Sequence, residues 1–369
     1  MTSQPFFRQQ SELLPERAPP AATTGVIGWM RANLFSGWLS TILTLAGLYI
    51  LWLIIPGLLD WAFFDADFQG DDRFACTSSG ACWAWFDQRI DQFLYGFYPS
   101  EQTWRVNIAL LLLVPALAPV LFDKMPGAKR LRWFSLAYPV VATFLLIGGF
   151  GLEEVPTNKF GGFMLNVTVG LAGIVLSLPV GIVLALGRRS RMPIVRSLSV
   201  AFIEVFRGVP LITLLFVAAI LLPIFLPPSF SLDLVIRVIV VVTAFASAYM
   251  AEVIRGGLQA VPRGQYEAAA ALGLGYWKMM GLIVLPQALK ISIPGIVNTF
   301  IGLFKDTTLV IVIGLFDVLN IGRTMVSNPD WLGLAVETQV FISLFFFIVC
   351  FSMSRYSVHL EQRLDTTKR

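Results

Sequence analysis

The sequence predicts an all-α membrane protein with about eight transmembrane helices, and three observations carry that prediction. The 369-residue chain is 56% hydrophobic and only 14% charged, far from the composition of a soluble domain. Several windows hold the roughly 17 to 25 mostly apolar residues that a bilayer span needs, since a helix rises about 1.5 Å per residue and the hydrocarbon is about 30 Å thick. These runs are continuous rather than alternating between apolar and polar, which excludes the strands of a membrane barrel.

Residues 1–37 are polar, with Pro5, Pro15, Pro19 and Pro20. They lack an apolar core at their start and read as a flexible cytoplasmic tail rather than a cleaved signal. Trp38 to Leu59 is the first span. The loop 60–105 is long, acidic and aromatic, and holds Cys76 and Cys82. Spans two and three cover Val106 to Phe122 and Trp133 to Phe150, joined by the basic turn Asp123 to Arg132. A polar link, 151–162, leads to the fourth span, Met164 to Leu186, followed at once by Arg188, Arg189, Arg191 and Arg196. Pro193 to Phe206 reads as a short interfacial helix before a fifth span near Val209 to Leu226. The sixth span covers Leu234 to Ile254. A seventh begins after Pro286 or Pro294 and continues through Phe304, and the last runs from Leu334 to Met353. Leu309 to Leu319 is apolar but too short to cross alone, so it reads as a continuation or a re-entrant piece rather than a ninth helix.

Eight spans with both termini inside place 20 of the 27 Lys and Arg residues on inner segments and 7 on outer ones, the asymmetry that sets membrane orientation. The basic residues cluster beside apolar runs, so the formal charge of +4 does not signal nucleic acid. Cys76 and Cys82 then fall in the oxidising compartment. A disulfide closing that small loop is the favoured reading, with two unpaired surface thiols as the alternative. Cys350 lies within a span and reads as packing. One histidine, His359, and three cysteines give too little material for a metal site or for the usual acid and base chemistry. No phosphate loop of the form GxxxxGK[ST] occurs, so any ATP driving this protein is bound by another subunit.

The stretch from Gln265 to Pro286 differs from its apolar surroundings. Glu267 to Leu272 are strong helix formers, Gly273 and Gly275 break the helix, and Tyr276 to Leu285 forms a second short run ended by Pro286. Glu267, Ala268 and Ala269, then Gly273 after three residues, Ile283 after nine more, and Leu285 with Pro286 resemble the EAA loop of binding-protein-dependent ABC importer permeases. From about Asn166 onward the likeness widens. The segments FIEVFRGVPLITLLF, AYMAEVIRGGLQAVPRGQYEAAAALG and LPQALKISIPGIVNTFIGLFKDTTLV resemble the polar amino-acid subfamily. The preceding spans are similar to the larger, M-type permease subunit of general L-amino-acid uptake systems.

The resemblance implies a five-helix type I ABC importer core over 156–358, preceded by a three-span extension over 38–155 and followed by a cytoplasmic tail, 359–369. It implies a permease for L-amino acids in the bacterial inner membrane, itself without cofactor. Its implied partners are a second homologous permease, two ATPase subunits carrying ATP and Mg, a periplasmic amino-acid-binding protein, and membrane lipid. Glu267, Ala268, Ala269 and Gly273 are its implied ATPase-coupling residues, with Ala268 and Ala269 filling a groove on the ATPase. An ion-coupled secondary transporter, or an ABC permease for another small polar solute, is the alternative.

Lys305, Asp306, Thr307 and Thr308 sit between apolar runs, where ionisable groups are costly and usually face a partner or a watery cavity. Asn298, Asp306, Thr307 and Thr308 are the candidate pathway residues, against a plain Lys305 to Asp306 pair at a helix end. Glu204 and Arg207 have the spacing of a helical ion pair, as do Glu252 and Arg255 beside Tyr249. Glu252 facing a cavity is the alternative to its pairing with Arg255.

Overall fold

The computed structural model describes residues 25–122, 125–225, 227 and 232–364. The described residues fall into two compact units, one within 1–67 with 77–81 and the other within 68–76 with 82–369.

In the first unit, α1 (Gly25–Asn33) precedes α2 (Trp38–Leu59), which a π-turn, Asp60–Phe64, prolongs. α2 coincides with the expected first span, and none of its residues is buried. Beyond it, the Ala81 amide donates to the Trp61 carbonyl (2.7 Å) and the Asp67 amide to the Ala81 carbonyl (2.9 Å). The Ser78 amide donates to the Asp67 carboxylate at 2.9 Å and holds that carboxyl below its ordinary pKa.

The second unit contains α3 (Trp85–Tyr95), α4 (Thr103–Leu121), α5 (Ala128–Ile147), α6 (Gly162–Arg188), α7 (Pro193–Gly208), α8 (Leu211–Phe216), α9 (Leu222–Phe225) and α10 (Leu234–Ala260). It continues with α11 (Arg263–Ala271), α12 (Tyr276–Met279), α13 (Leu285–Asp306), the short strand β1 (Phe316–Asp317), α14 (Val318–Val326) and α15 (Ala335–Leu364). α10 is central and packs on α6, α7 and α13, while α13 packs on α15 and α4 pairs with α5. The α6 face allows this because it is small. A Cβ on Gly181 would lie 2.7 Å from Met250 Cβ, and one on Gly173 3.0 Å from Leu303 Cδ2.

Among the described residues, seven helical stretches are long and apolar enough to cross a bilayer, or eight if α7 and the segment 211–225, bent by 103°, form one span. The bend follows from Pro210, which pushes Val209 out of the helical region to φ −110° and ψ 133°. A π-turn, Val217–Leu221, joins α8 to α9. The Arg237 guanidinium donates to the Ala218 and Ala219 carbonyls there, at 3.1 and 2.9 Å, supplying partners that hydrocarbon could not.

Two sequence expectations are corrected. Pro286 does not end a helix: α12 passes through a π-turn, Met280–Val284, directly into α13, where Pro286 occupies the first turn and its missing N–H costs nothing. The third span begins at Ala128 rather than Trp133, because Gly127, at φ +80°, starts the helix inside the basic turn. Residues 307–313 continue α13 as a 3-10 helix, and β1 with the nine-residue α14 follows, with no separate crossing between α13 and α15 among the described residues.

The loop before α3 joins the core of the same unit. Cys76 and Cys82 form a disulfide with Cα atoms 5.7 Å apart, Arg73 donates to the Leu332 carbonyl at 2.5 Å, and the Cys82 amide lies 3.4 Å from Glu337 Oε1. Trp85 and Phe93, both fully buried, meet Phe341 edge-on with ring centroids 5.5 and 5.4 Å apart. Gly162 starts α6 at φ +56°, and a Cβ there would run into the Phe93 carbonyl. Gly162→Val is therefore expected to cost at least about 2 kcal/mol through strain and overpacking. Gly256→Ala, with nothing within 4 Å of its Cβ, should cost nothing. Thermal unfolding of the detergent-solubilised protein compares the two.

Candidate functional site

Three polar zones stand out in the second unit. The first is the helix-turn-helix after α10. Pro262 opens α11, and Leu272, Gly273 and Leu274 close it: the Gly273 amide donates to the Ala270 carbonyl at 2.9 Å and the Leu274 amide to the Ala269 carbonyl at 3.2 Å. Gly273 sits at φ +69°, as this paired C-terminal closure requires. Ala269 is fully buried, whereas Glu267, Ala268, Ala270 and Ala271 are exposed. The sequence pairs Ala268 with Ala269 as outward-facing, but one residue turns an α-helix by about 100°, so Ala269 packs inward and Ala270 and Ala271 join Ala268 outside. Leu272 and Trp277 extend this face at 75% and 76% exposure. Arg189 braces α11 from the end of α6, donating to the Leu258 carbonyl at 3.1 Å and to the Tyr266 hydroxyl at 3.2 Å, while that hydroxyl donates to Leu258 at 3.0 Å.

The second zone lies close by, where α6, α7 and α10 meet. Glu252 faces three arginines: Arg255 at 2.9 Å, Arg188 at 3.0 Å and Arg207 at 3.8 Å. Glu204 accepts from Arg188 at 2.9 Å. The expected Glu204 to Arg207 pair is not formed, because Arg188 reaches Glu204 from α6 and Arg207 turns to Glu252, with its guanidinium over the Tyr249 ring at 5.4 Å. The Glu252 to Arg255 pair forms.

The third zone is the end of α13. Asn298 and Lys305 are exposed, Asp306 and Thr308 are half-buried, and Thr307 is 1% exposed. The sequence groups Thr307 with pathway residues, yet its hydroxyl faces α6: it accepts from Asn166 Nδ2 at 2.9 Å and donates to the Phe304 carbonyl at 2.7 Å. Thr308 caps the Lys305 carbonyl at 2.9 Å. The Lys305 to Asp306 pair is absent from the ion pairs of the described residues.

Asn166, which sequence reasoning missed, ties this zone together: besides holding Thr307, its Oδ1 accepts from the Val318 amide at 3.0 Å. A single asparagine in an apolar run offered only its polarity as a signal. Asp317 is likewise new. It is buried and caps α14 through the Leu319 and Asn320 amides at 3.2 and 3.0 Å. Burial pushes its carboxyl up to about 6, against the pull of those amides, Asn166 and Arg323. Among the described residues no cluster suits a metal ion.

A helical bundle with an alanine-faced polar hairpin at one end and unpaired polar groups along one core helix has the form of a polytopic transport subunit. Residues 177–366 match the family described as binding-protein-dependent transport system inner membrane component, and the chain belongs to that family. It is 50% identical to the inner membrane amino-acid ABC transporter permease protein YhdY of Escherichia coli K12, over 95% of this chain and 96% of that one. It is 45% identical to the glutamate/glutamine/aspartate/asparagine transport system permease protein BztC of Rhodobacter capsulatus, over the whole of both. A crystal structure of an amino acid ABC transporter with histidines is 27% identical, with a TM-score of 0.48, over 54% of this chain and 91% of that chain.

Two predictions follow from the buried groups. Glu252→Gln should cost about 2 kcal/mol because it strands three arginines around a side chain only 15% exposed, whereas Glu204→Gln, at 56%, should cost under about 1 kcal/mol; chemical denaturation of the purified variants ranks them. Asp317 binds more protons folded than unfolded between about pH 4 and its raised value, so its contribution to stability falls as pH rises through that window. Asp317→Asn keeps an acceptor for the α14 cap and should flatten the dependence of the melting temperature between pH 4 and 6.

Proposed function

We propose that this chain is a translocating subunit of an ATP-driven importer of L-amino acids. The observation that carries the reading is the hairpin α11–α12. It presents Glu267, Ala268, Ala270 and Ala271 outward while Ala269, Arg189 and Tyr266 fix its back to the bundle, as a helix that transmits force must be fixed. The amino-acid ABC permease names of both full-length relatives support the solute class.

In this reading Glu267 meets a polar partner on a separate ATPase subunit, small alanine side chains let the two backbones approach, and Gly273 sets the exit angle. Two such ATPases bind ATP and Mg, while this chain performs no covalent chemistry and binds no cofactor itself. A second homologous permease completes the pathway, and a periplasmic binding protein delivers the amino acid. Both termini lie in the cytoplasm, with the hairpin on that side and α3 and α14 on the other. Residues 38–155 form the extension and 156–358 the transporting core. Asn298, Asp306 and Thr308 line the pathway; Thr307 positions them.

The test is uptake of radiolabelled amino acids into proteoliposomes holding the complete complex. ATP-dependent uptake by the intact complex that falls at least tenfold in Glu267→Arg, with the ATPase subunits still bound, supports the coupling reading. Uptake that persists without ATP and ignores the substitution would favour an ion-coupled transporter. Gly273→Val should lower ATP-dependent uptake severalfold, since a branched residue at φ +69° carries strain of about 1 to 3 kcal/mol.

A further inference from the structure

We propose that Lys305 anchors the carboxylate of the transported solute, an inference that rests on the permease reading above and adds to it a binding residue and its ligand chemistry. The first observation is depth. A Cβ on Gly170 of α6 would touch Phe304 and Thr307, and one on Gly173 would touch Leu303 and Val242 of α10. Gly170 and Val242 each lie eight residues from the start of their helices, about 12 Å along the axis. The starts of both helices are apolar, with Phe163, Leu165, Leu234 and Val235, apart from Asn166 and Arg237, whose polar groups bond within the protein. Lys305 therefore projects from a level inside the hydrocarbon, further from either helix start than a lysine side chain extends.

The second observation is its surroundings. Lys305 is exposed, and among the described residues no carboxylate lies within ion-pairing distance of it. An exposed ammonium at that depth is stable only against water or an anion, because hydrocarbon solvates neither its charge nor its three donors. The third is the face it shares. Ile291, Pro294, Asn298 and Lys305 are exposed at helical spacing along α13, with half-buried Gly302 between the last two. A Cβ on Gly302 would meet nothing within 4 Å. The face is narrow, partly polar and open next to the lysine, as a solute path would be.

Asp306 supplies the complementary charge. Its half-buried carboxyl is the next side chain along, where α13 tightens into the 3-10 helix, and it forms no ion pair with Lys305 among the described residues. An amino-acid zwitterion matches that arrangement: carboxylate on Lys305, ammonium towards Asp306. A neutral or purely cationic solute would leave the lysine unmatched.

The experiment uses the complete permease–ATPase complex in lipid nanodiscs without its binding protein, after ATP-dependent import by the same preparation has been measured. The probes are radiolabelled L-glutamate, L-glutamine, L-aspartate and L-asparagine, competed by the unlabelled amino acid or by its α-carboxamide, which lacks the carboxylate. The wild-type complex should bind at least one probe, and the α-carboxamide should fail to compete. Lys305→Gln should weaken binding at least tenfold, and Lys305→Arg should restore it to within about threefold. Unchanged affinity in Lys305→Gln overturns the proposal, as does an importing wild-type complex that binds none of the probes. Loss of the second permease from both Lys305 variants overturns it in favour of an ion pair between subunits. A wild-type preparation without ATP-dependent import would instead remove the permease reading itself.

Discussion

A polar group at the depth of the hydrocarbon must find a partner within the protein or face a watery path, and much of this fold follows from how the first is met. Asn166 meets it by joining three segments at once, the body of α6, the end of α13 through Thr307, and the start of α14 through the Val318 amide. Arg237 meets it at the π-turn of the bent span, where backbone carbonyls released from the regular ladder receive a guanidinium. These two departures from regular α-helix therefore each sit beside a side chain that compensates for them, and each such side chain fixes the relative position of at least two elements.

At the opposite end of α6 the requirement relaxes, because side chains there are partly solvated, and charge takes over as the organising force. Five charged residues from α6, α7 and α10 share one cluster. Beside it, Arg189 fastens α11 to the same helices. Movement of α11 is thus linked to α6 and α10 through short polar contacts in addition to the packing of Tyr266 on their apolar cluster, and the close glycine contacts of the bundle tolerate little sliding. The geometry suits transmission: a stiff bundle, a braced hairpin, and an outward face of small side chains.

Sequence made the helices legible and left their partners hidden. Composition and run length placed α2 to the residue, and propensity with two glycines placed the hairpin, because both signals are local. The Glu204 to Arg207 pair was misassigned for the same reason, whereas the Glu252 to Arg255 pair formed as its spacing allows. Spacing of three residues permitted Glu204 to reach Arg207, but nothing local revealed that Arg188, 16 residues away, would stand closer. Pro286 misled because proline stops a regular helix, whereas a helix that has just passed through a π-turn accepts it in a new first turn. Ala269 was placed on the wrong side of α11 because an all-alanine run has no periodicity to read.

The helix α3 is best understood through what it touches. Trp85 and Phe93 are buried among Ile321, Trp331 and Phe341, all from the last third of the chain, and Gly162 can begin α6 only because it lacks a side chain against Phe93. An independent module would bury its aromatic residues against itself. Here they complete a cluster that α14 and α15 cannot close alone, so helix α3 is a structural part of the second unit. The disulfide between Cys76 and Cys82 fits that role: it shortens the chain leading into Trp85 and reduces the entropy lost when the aromatic pair docks. Any rearrangement of α15 must therefore carry α3 with it or break the edge-on contacts that Trp85 and Phe93 make with Phe341.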